Sequence, residues 1–225
     1  MNSNVNCIKF IAAILVILSH SYPLTGNGND FLVRMTDGKL GLGSVAVAVF
    51  FLFSGFYLSQ SLQKDDRTAV YLIKRVKKIF PPLIIVVLLS VFLIGPIFTQ
   101  LTLKEYFGSA GTYLYFLNGI LIPVHNLPGV FTEAPYNPTV NGALWTLPVE
   151  FACYIFLLFI VKMKKHWNKI YVNFLLLGIM FIVCPLIGDF LRGTNISILA
   201  AAISPFCMFC MGHLYSEIQD KIICD

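Results

Sequence analysis

The sequence predicts an all-α protein: a polytopic transmembrane helical bundle of about six spans with a re-entrant outer segment. Three observations predict it. The 225 residues are 57% hydrophobic and only 12% charged, where soluble domains carry about a quarter charged residues, and the mean hydropathy is +0.79. Charge-free windows recur: no Asp, Glu, Lys or Arg lies between Lys39 and Lys64, Lys78 and Lys104, Glu150 and Lys162, Lys169 and Asp189, or Arg192 and Glu217. The basic residues crowd into two connections, as in the cytoplasmic loops of membrane proteins.

The first expected span is 8–22. Its window runs from Lys9 to Asp30, but Pro23, Gly26 and Asn27 shorten the helix. It lacks a basic n-region and a small-x-small cleavage site, so it reads as a retained span rather than a signal peptide. The second span is 41–61. A basic connection follows, holding Lys64, Arg67, Lys74, Arg75, Lys77 and Lys78. The third span is 79–98 and the fourth 143–161. A second basic connection holds Lys162, Lys164, Lys165 and Lys169. The fifth and sixth spans are 170–188 and 196–215. The positive-inside rule places both basic connections, and the N-terminus, in the cytoplasm.

Two cytoplasmic connections must be separated by an even number of spans. The stretch 106–124, with Gly108, Gly111, Asn118, Gly119 and Pro123, therefore reads as re-entrant or interfacial, and all of 99–142 as outer. Irregular backbone at membrane depth is tolerated where protein covers it. The Pro- and Asn-rich loop 125–141, with Pro128, Pro135, Pro138, Asn126, Asn137 and Asn141, reads as a shaped lid or binding wall. The chain reads as one domain over 1–225, with no internal repeat.

None of the six cysteines (Cys7, Cys153, Cys184, Cys207, Cys210 and Cys224) falls in an outer loop, so no disulfide framework is expected. Cys207 and Cys210 form a CxxC without further ligands in an apolar helix, which suits packing; no metal site is expected. The net charge of +5 reports loop orientation and requires no nucleic-acid partner.

Ionisable groups at membrane depth are functional candidates because burying them is costly. Lys9 and His20 are eleven residues apart on the first span. That is about three turns and about 16 Å of rise, so they share a face without meeting. They suit either two ends of an elongated ligand such as a coenzyme A thioester, or a snorkelling lysine and an interfacial histidine. Glu150 follows Pro148 in the first turns of the fourth span; the helix dipole alone favours an acid there, and a catalytic role is equally open. Arg75 and Lys78, one turn apart before Pro81 and Pro82, read as a topology signal or as a phosphate clamp. Ser54-Gly55 reads as a close-packing site for a neighbouring helix. His125, His166 and His213 show no partner pattern. No HExxH, P-loop or GxSxG motif is present.

Four segments carry a family resemblance. They are Asn6 to Ala13 leading to Ser19-His20-Ser21; Val49 to Phe56; Lys74 to Pro81; and Leu127 to Phe131 with Asn141 to Glu150. In this order the chain resembles the acyltransferase family 3 membrane proteins, the group that includes bacterial polysaccharide O-acetyltransferases. The resemblance implies transfer of an acyl group, usually acetyl, from cytoplasmic acyl-CoA (acetyl-CoA) to a hydroxyl of a polysaccharide or glycolipid, at the plasma or inner membrane among its lipids. It implies that His20 is catalytic and links Lys9, Arg75 and Lys78 to catalysis or donor binding; beside these, Glu150 is expected to orient groups or hold a polar network. The family usually has arginine at the positions of Lys9 and Lys78, and members carry further C-terminal spans. An inactive truncated remnant is therefore one alternative expectation; a transporter or flippase for a glycan or lipid intermediate is another.

Overall fold

A computed structural model describes residues 3–26, 28–64, 67–134, 138–192 and 197–222. The helices are α1 (Ser3–Leu24), α2 (Phe31–Met35), α3 (Leu42–Lys64), α4 (Thr68–Leu89), α5 (Gly95–Phe98), α6 (Leu103–Gly108), α7 (Ala110–Leu114), α8 (Thr146–His166), α9 (Lys169–Gly178), α10 (Cys184–Arg192) and α11 (Ser197–Ile222). Among the described residues there is no strand; Thr99 and Val130 form an isolated antiparallel bridge.

The fold is all-α, as expected. Five helical stretches are long and apolar enough to cross a membrane: Asn4–Leu24, Leu42–Lys64, Thr68–Phe98, Gly142–His166 and Lys169–Ile187. They match the first five expected spans, covering each to within one residue. The sixth, 196–215, falls on α11, with Ile196 outside the described residues. Apolar side chains stand outward on these helices, among them Phe10, Ile17, Phe174 and Phe181, as a lipid-facing surface requires.

The chain divides into two compact units. The first comprises 1–22, 29–71 and 152–225; the second comprises 23–28 and 72–151. In the first unit α3 packs on α11 through paired glycines. A methyl group at Gly55 would overlap the Phe209 carbonyl, and one at Gly212 would overlap the Leu52 carbonyl. Small residues permit such backbone contact where lipid supplies no hydrophobic drive. Beside this crossing, Ile160, Val172, Leu176, Met180 and Cys210 form an apolar core. The CxxC is thus packing material, with Cys210 buried and Cys207 partly buried against that core; Cys224 lies outside the described residues.

In the second unit α4 continues through a π-helical turn, Ser90–Ile94, into α5. The turn leaves the Val91 carbonyl to accept a hydrogen bond from the Tyr106 hydroxyl at 3.0 Å. Gly95 makes room for that ring, since a methyl there would overlap the hydroxyl. The stretch 106–124 holds no helix of spanning length: it breaks into α6, α7 and a 3-10 helix, Tyr115–Ile120. Buried Asn118 donates to the carbonyls of Tyr115 and Val124 and accepts from the Val124 N–H, which closes the turn around Leu121 (φ 65°). The following loop is shaped rather than loose. Thr99 Oγ1 donates to the Pro128 carbonyl, Gln100 N–H to Gly129, and Leu127 and Val130 are buried. Pro135 and Asn137 of this loop lie outside the described residues.

Gly55→Ala and Gly212→Ala are each expected to cost about 1–3 kcal/mol by overpacking, seen as lower melting temperatures in detergent. Gly178→Ala is the control, because its added methyl meets nothing within 4 Å. Equal melting of all three variants would remove the glycine crossing as a determinant of the fold.

Candidate functional site

His20 lies exposed near the C-terminal end of α1. Its Nδ1 is 2.8 Å from the Val16 carbonyl oxygen. A carbonyl only accepts, so the neutral ring carries its proton on Nδ1 and presents Nε2 as a base. The ring is positioned from its neighbour. Ser19 Oγ donates to Asp30 Oδ2 at 2.7 Å. Asp30 Oδ1 accepts from the N–H groups of Leu32 and Val33, and Oδ2 from that of Leu42. One buried carboxylate thereby caps α2, caps α3 and ties both to α1. Gly43 lets α1 approach: a methyl there would lie 3.1 Å from Ser19 Oγ and 3.7 Å from His20 Cε1.

Asp30 escaped the sequence reading. Its signal was the N-cap position before Phe31–Met35; the bonds to Ser19 and Leu42 had no signal. Burial raises the Asp30 carboxyl, but hydrogen bonds from Ser19 and from the N–H groups of Val33, Leu42 and Leu32 outweigh it and hold the group below its ordinary value of 3.8.

Lys9 sits about three turns below, half-buried, with Nζ 5.3 Å from the Tyr57 ring centre and 5.8 Å from that of Phe53. Both rings belong to α3, so the cation is held over an aromatic pair. Lys9 and His20 therefore lie together in the first unit.

Arg75, Lys78 and Glu150 belong to the second. Lys78 Nζ donates to Glu150 Oε1 at 3.0 Å, with Lys78 half exposed and Glu150 mostly covered. Arg75 lies one turn earlier on α4, and the Phe80 and Phe151 rings meet edge to face beside the pair. Pro81 and Pro82 lie inside α4 and lack the N–H groups that would bond the carbonyls four residues back, those of Lys77 and Lys78. The sequence reading put Lys78 at the cytoplasmic surface and Glu150 inside the fourth span near its start. From Lys78 to Phe98 a helix rises about 30 Å, whereas from Gly142 to Glu150 it rises about 12 Å. Because Lys78 and Glu150 touch, the chain enters the Gly142–His166 stretch part-way along the continuous Thr68–Phe98 helix rather than at its far end.

His213 had no assigned role, and Lys164 was expected in a solvated connection. The structure corrects both. α8 continues to His166, and Lys164 is buried with Nζ 2.7 Å from Glu217 Oε1 and 2.9 Å from His213 Nε2. His213 Nδ1 meets Ser59 Oγ at 2.7 Å, and Asn173 Nδ2 donates to Glu217 Oε2 at 3.0 Å. The glycine crossing makes this network, since Ser59 is one turn beyond Gly55 and His213 adjoins Gly212. Among the described residues no group of three or more His, Cys, Asp or Glu is placed to hold a metal ion.

Residues 2–223 match a family described as an acyltransferase domain. The chain is 32% identical over 188 residues to an O-acetyl transferase of Shigella phage Sf6, covering 82% of this chain and 53% of that protein. It is 27% identical over 184 residues to nodulation protein 10 of Rhizobium leguminosarum bv. viciae, covering 74% of this chain and 46% of that one. The chain thus spans about half the length of the curated relatives it matches. No solved structure matches it.

Asp30→Ala is expected to lower stability by about 1–2 kcal/mol through loss of the cap. Because the folded carboxyl is lowered, its contribution is complete above the unfolded carboxylate pKa and is lost as pH falls through the folded value. Acid titration of the melting temperature checks this: the wild type should lose an increment below about pH 4 that Asp30→Asn never had. An identical acid profile for the two would discard the carboxylate as the clamp.

Proposed function

This chain belongs to acyltransferase family 3, and from that premise we propose that it moves an acyl group, acetyl by preference, from acyl-CoA to a hydroxyl of a cell-surface or exported polysaccharide. The observation that carries the proposal is the state of His20: Nδ1 is engaged by the Val16 carbonyl, so Nε2 is left as a base at the end of an apolar helix.

In this reading the protein lies in the cell membrane with its N-terminus in the cytoplasm. Nε2 of His20 takes the proton of the acceptor hydroxyl. The oxygen attacks the thioester carbonyl, the carbon–sulfur bond breaks, and the thiolate leaves with the proton that His20 returns. Ser19, Asp30 and Gly43 fix where the ring stands. Arg75 and Lys78 supply positive charge for the donor's phosphates, with Glu150 holding the Lys78 ammonium until phosphate competes for it. The Lys78–Glu150 pair is half exposed, so its worth to stability is only about 1 kcal/mol or less. That leaves Lys78 able to change partners at small cost. Lys9, over Phe53 and Tyr57, stands about 16 Å along α1 from His20, a distance that an extended donor arm bridges.

In reconstituted membranes with acetyl-CoA and acceptor glycan, His20→Ala should lower turnover by about 10²–10⁴-fold. Lys78→Met should instead raise the KM for acetyl-CoA about tenfold. Glycan acetylation by mass spectrometry and release of free thiol are the measurements. Unchanged acetylation in His20→Ala would end the proposal. Glycan movement across the bilayer without covalent change would point to a transporter.

A further inference from the structure

The first unit contains a cavity that acyl transfer as described does not use. It measures about 930 Å³, within the range of small-molecule sites of about 300–1,000 Å³. The two basic connections, which the sequence reading treated as topology signals, converge on it. Lys64 and Arg67 reach it from one, and Lys164, Lys165 and Lys169 from the other. Glu217 lines it as well.

The floor is a built structure. The Ser59 hydroxyl donates to the Gly55 carbonyl at 2.6 Å, so toward His213 its oxygen accepts and Nδ1 donates. The other ring nitrogen, Nε2, is then an acceptor and receives a hydrogen bond from the Lys164 ammonium. Glu217 is engaged at both oxygens, by Lys164 on Oε1 and by Asn173 on Oε2. Its charge is committed to the floor. Lys64 and Lys169 stand exposed at the rim. A concave lining rich in lysine and arginine draws anionic ligands.

The walls add a second character. Leu62, Val161, Ile170 and Ile218 also line the cavity. An inorganic ion would fill only a fraction of the volume. The site suits a ligand that joins a compact polyvalent anion to a less polar body. Lysines act as point charges for phosphate and arginine as a fork.

We propose that this cavity is a binding site for a phosphate-bearing ligand, with the phosphate at the Lys64–Arg67–Lys169 rim and the less polar part against Leu62 and Ile170. Phosphate of this kind comes on a soluble cofactor or on an anionic lipid headgroup. The proposal stands apart from Arg75 and Lys78, which belong to the other unit, and it needs no turnover.

The test uses the full chain purified in zwitterionic detergent, with coenzyme A as the soluble probe, followed by calorimetry. A parallel arm uses nanodiscs of phosphatidylcholine with and without phosphatidylglycerol, followed by melting temperature. Lys64→Gln and Lys169→Gln, both at exposed positions, should each weaken the responding arm about tenfold, and Lys104→Gln, which does not line the cavity, should not. Raised salt should weaken it further. A response to coenzyme A that follows the rim variants identifies a soluble ligand; stabilisation by phosphatidylglycerol that follows them identifies a lipid. No response in either arm overturns the proposal, as does a response that ignores both rim variants. Coenzyme A binding that survives Lys64→Gln and Lys169→Gln but fails in Lys78→Met removes this site and leaves the acyltransferase reading standing. Binding that follows the rim in a chain without acyltransferase activity does the reverse.

Discussion

The close crossing of α3 and α11 at Gly55 and Gly212 is the constraint on which the first unit depends. Neither position tolerates a methyl group without backbone overlap. Apolar side chains cannot drive helices together in a solvent as apolar as themselves, so contact area and polar bonds must do it. The glycines provide the approach, and the approach brings Ser59 to His213. His213 then meets Lys164, and Lys164 meets Glu217. A buried ammonium is tolerable only with partners at this range, so the polar network and the backbone crossing require one another.

The opposite needs of α3 are met along its own length. Near its start Gly43 admits Ser19 and His20; farther on Phe53 and Tyr57 take Lys9. One helix thus carries the neighbour of Ser19 and His20, the aromatic cradle of Lys9 and the contact with α11. Asp30 secures the start of this arrangement through four accepted hydrogen bonds. In the second unit the same economy is made with irregular backbone. A π-helical turn opens a carbonyl for Tyr106, Gly95 clears the space, and Asn118 closes the next turn.

Much of this was legible from residue order alone. Five spans follow from charge-free windows, because a long apolar helix is the only way to satisfy the backbone in lipid without a closed barrel. The broken character of 106–124 followed from Gly, Asn and Pro. Gly55 was legible as a packing residue. Its partner Gly212 was not, because a lone glycine near the end of an apolar helix marks no particular neighbour. Lys164 was misread because a lysine in a basic run is ordinarily solvated. Burying it takes the acid Glu217, 53 residues away in sequence.

Sequence by itself determined the all-α architecture, the apolar helices, the two basic connections and the candidate residues His20, Lys9, Arg75, Lys78 and Glu150. These properties depend on composition and on periods of a few residues, which short-range order records. Tertiary structure alone decided which of those residues meet: Lys78 with Glu150, Lys9 with Tyr57, Ser19 with Asp30, and the basic connections with one another around a cavity. Hydrogen bonds and ion pairs act over about 3 Å between groups of any separation in sequence. Their pairing is therefore set by how the helices cross, and that crossing turns on small residues whose importance lies in the atoms they leave out.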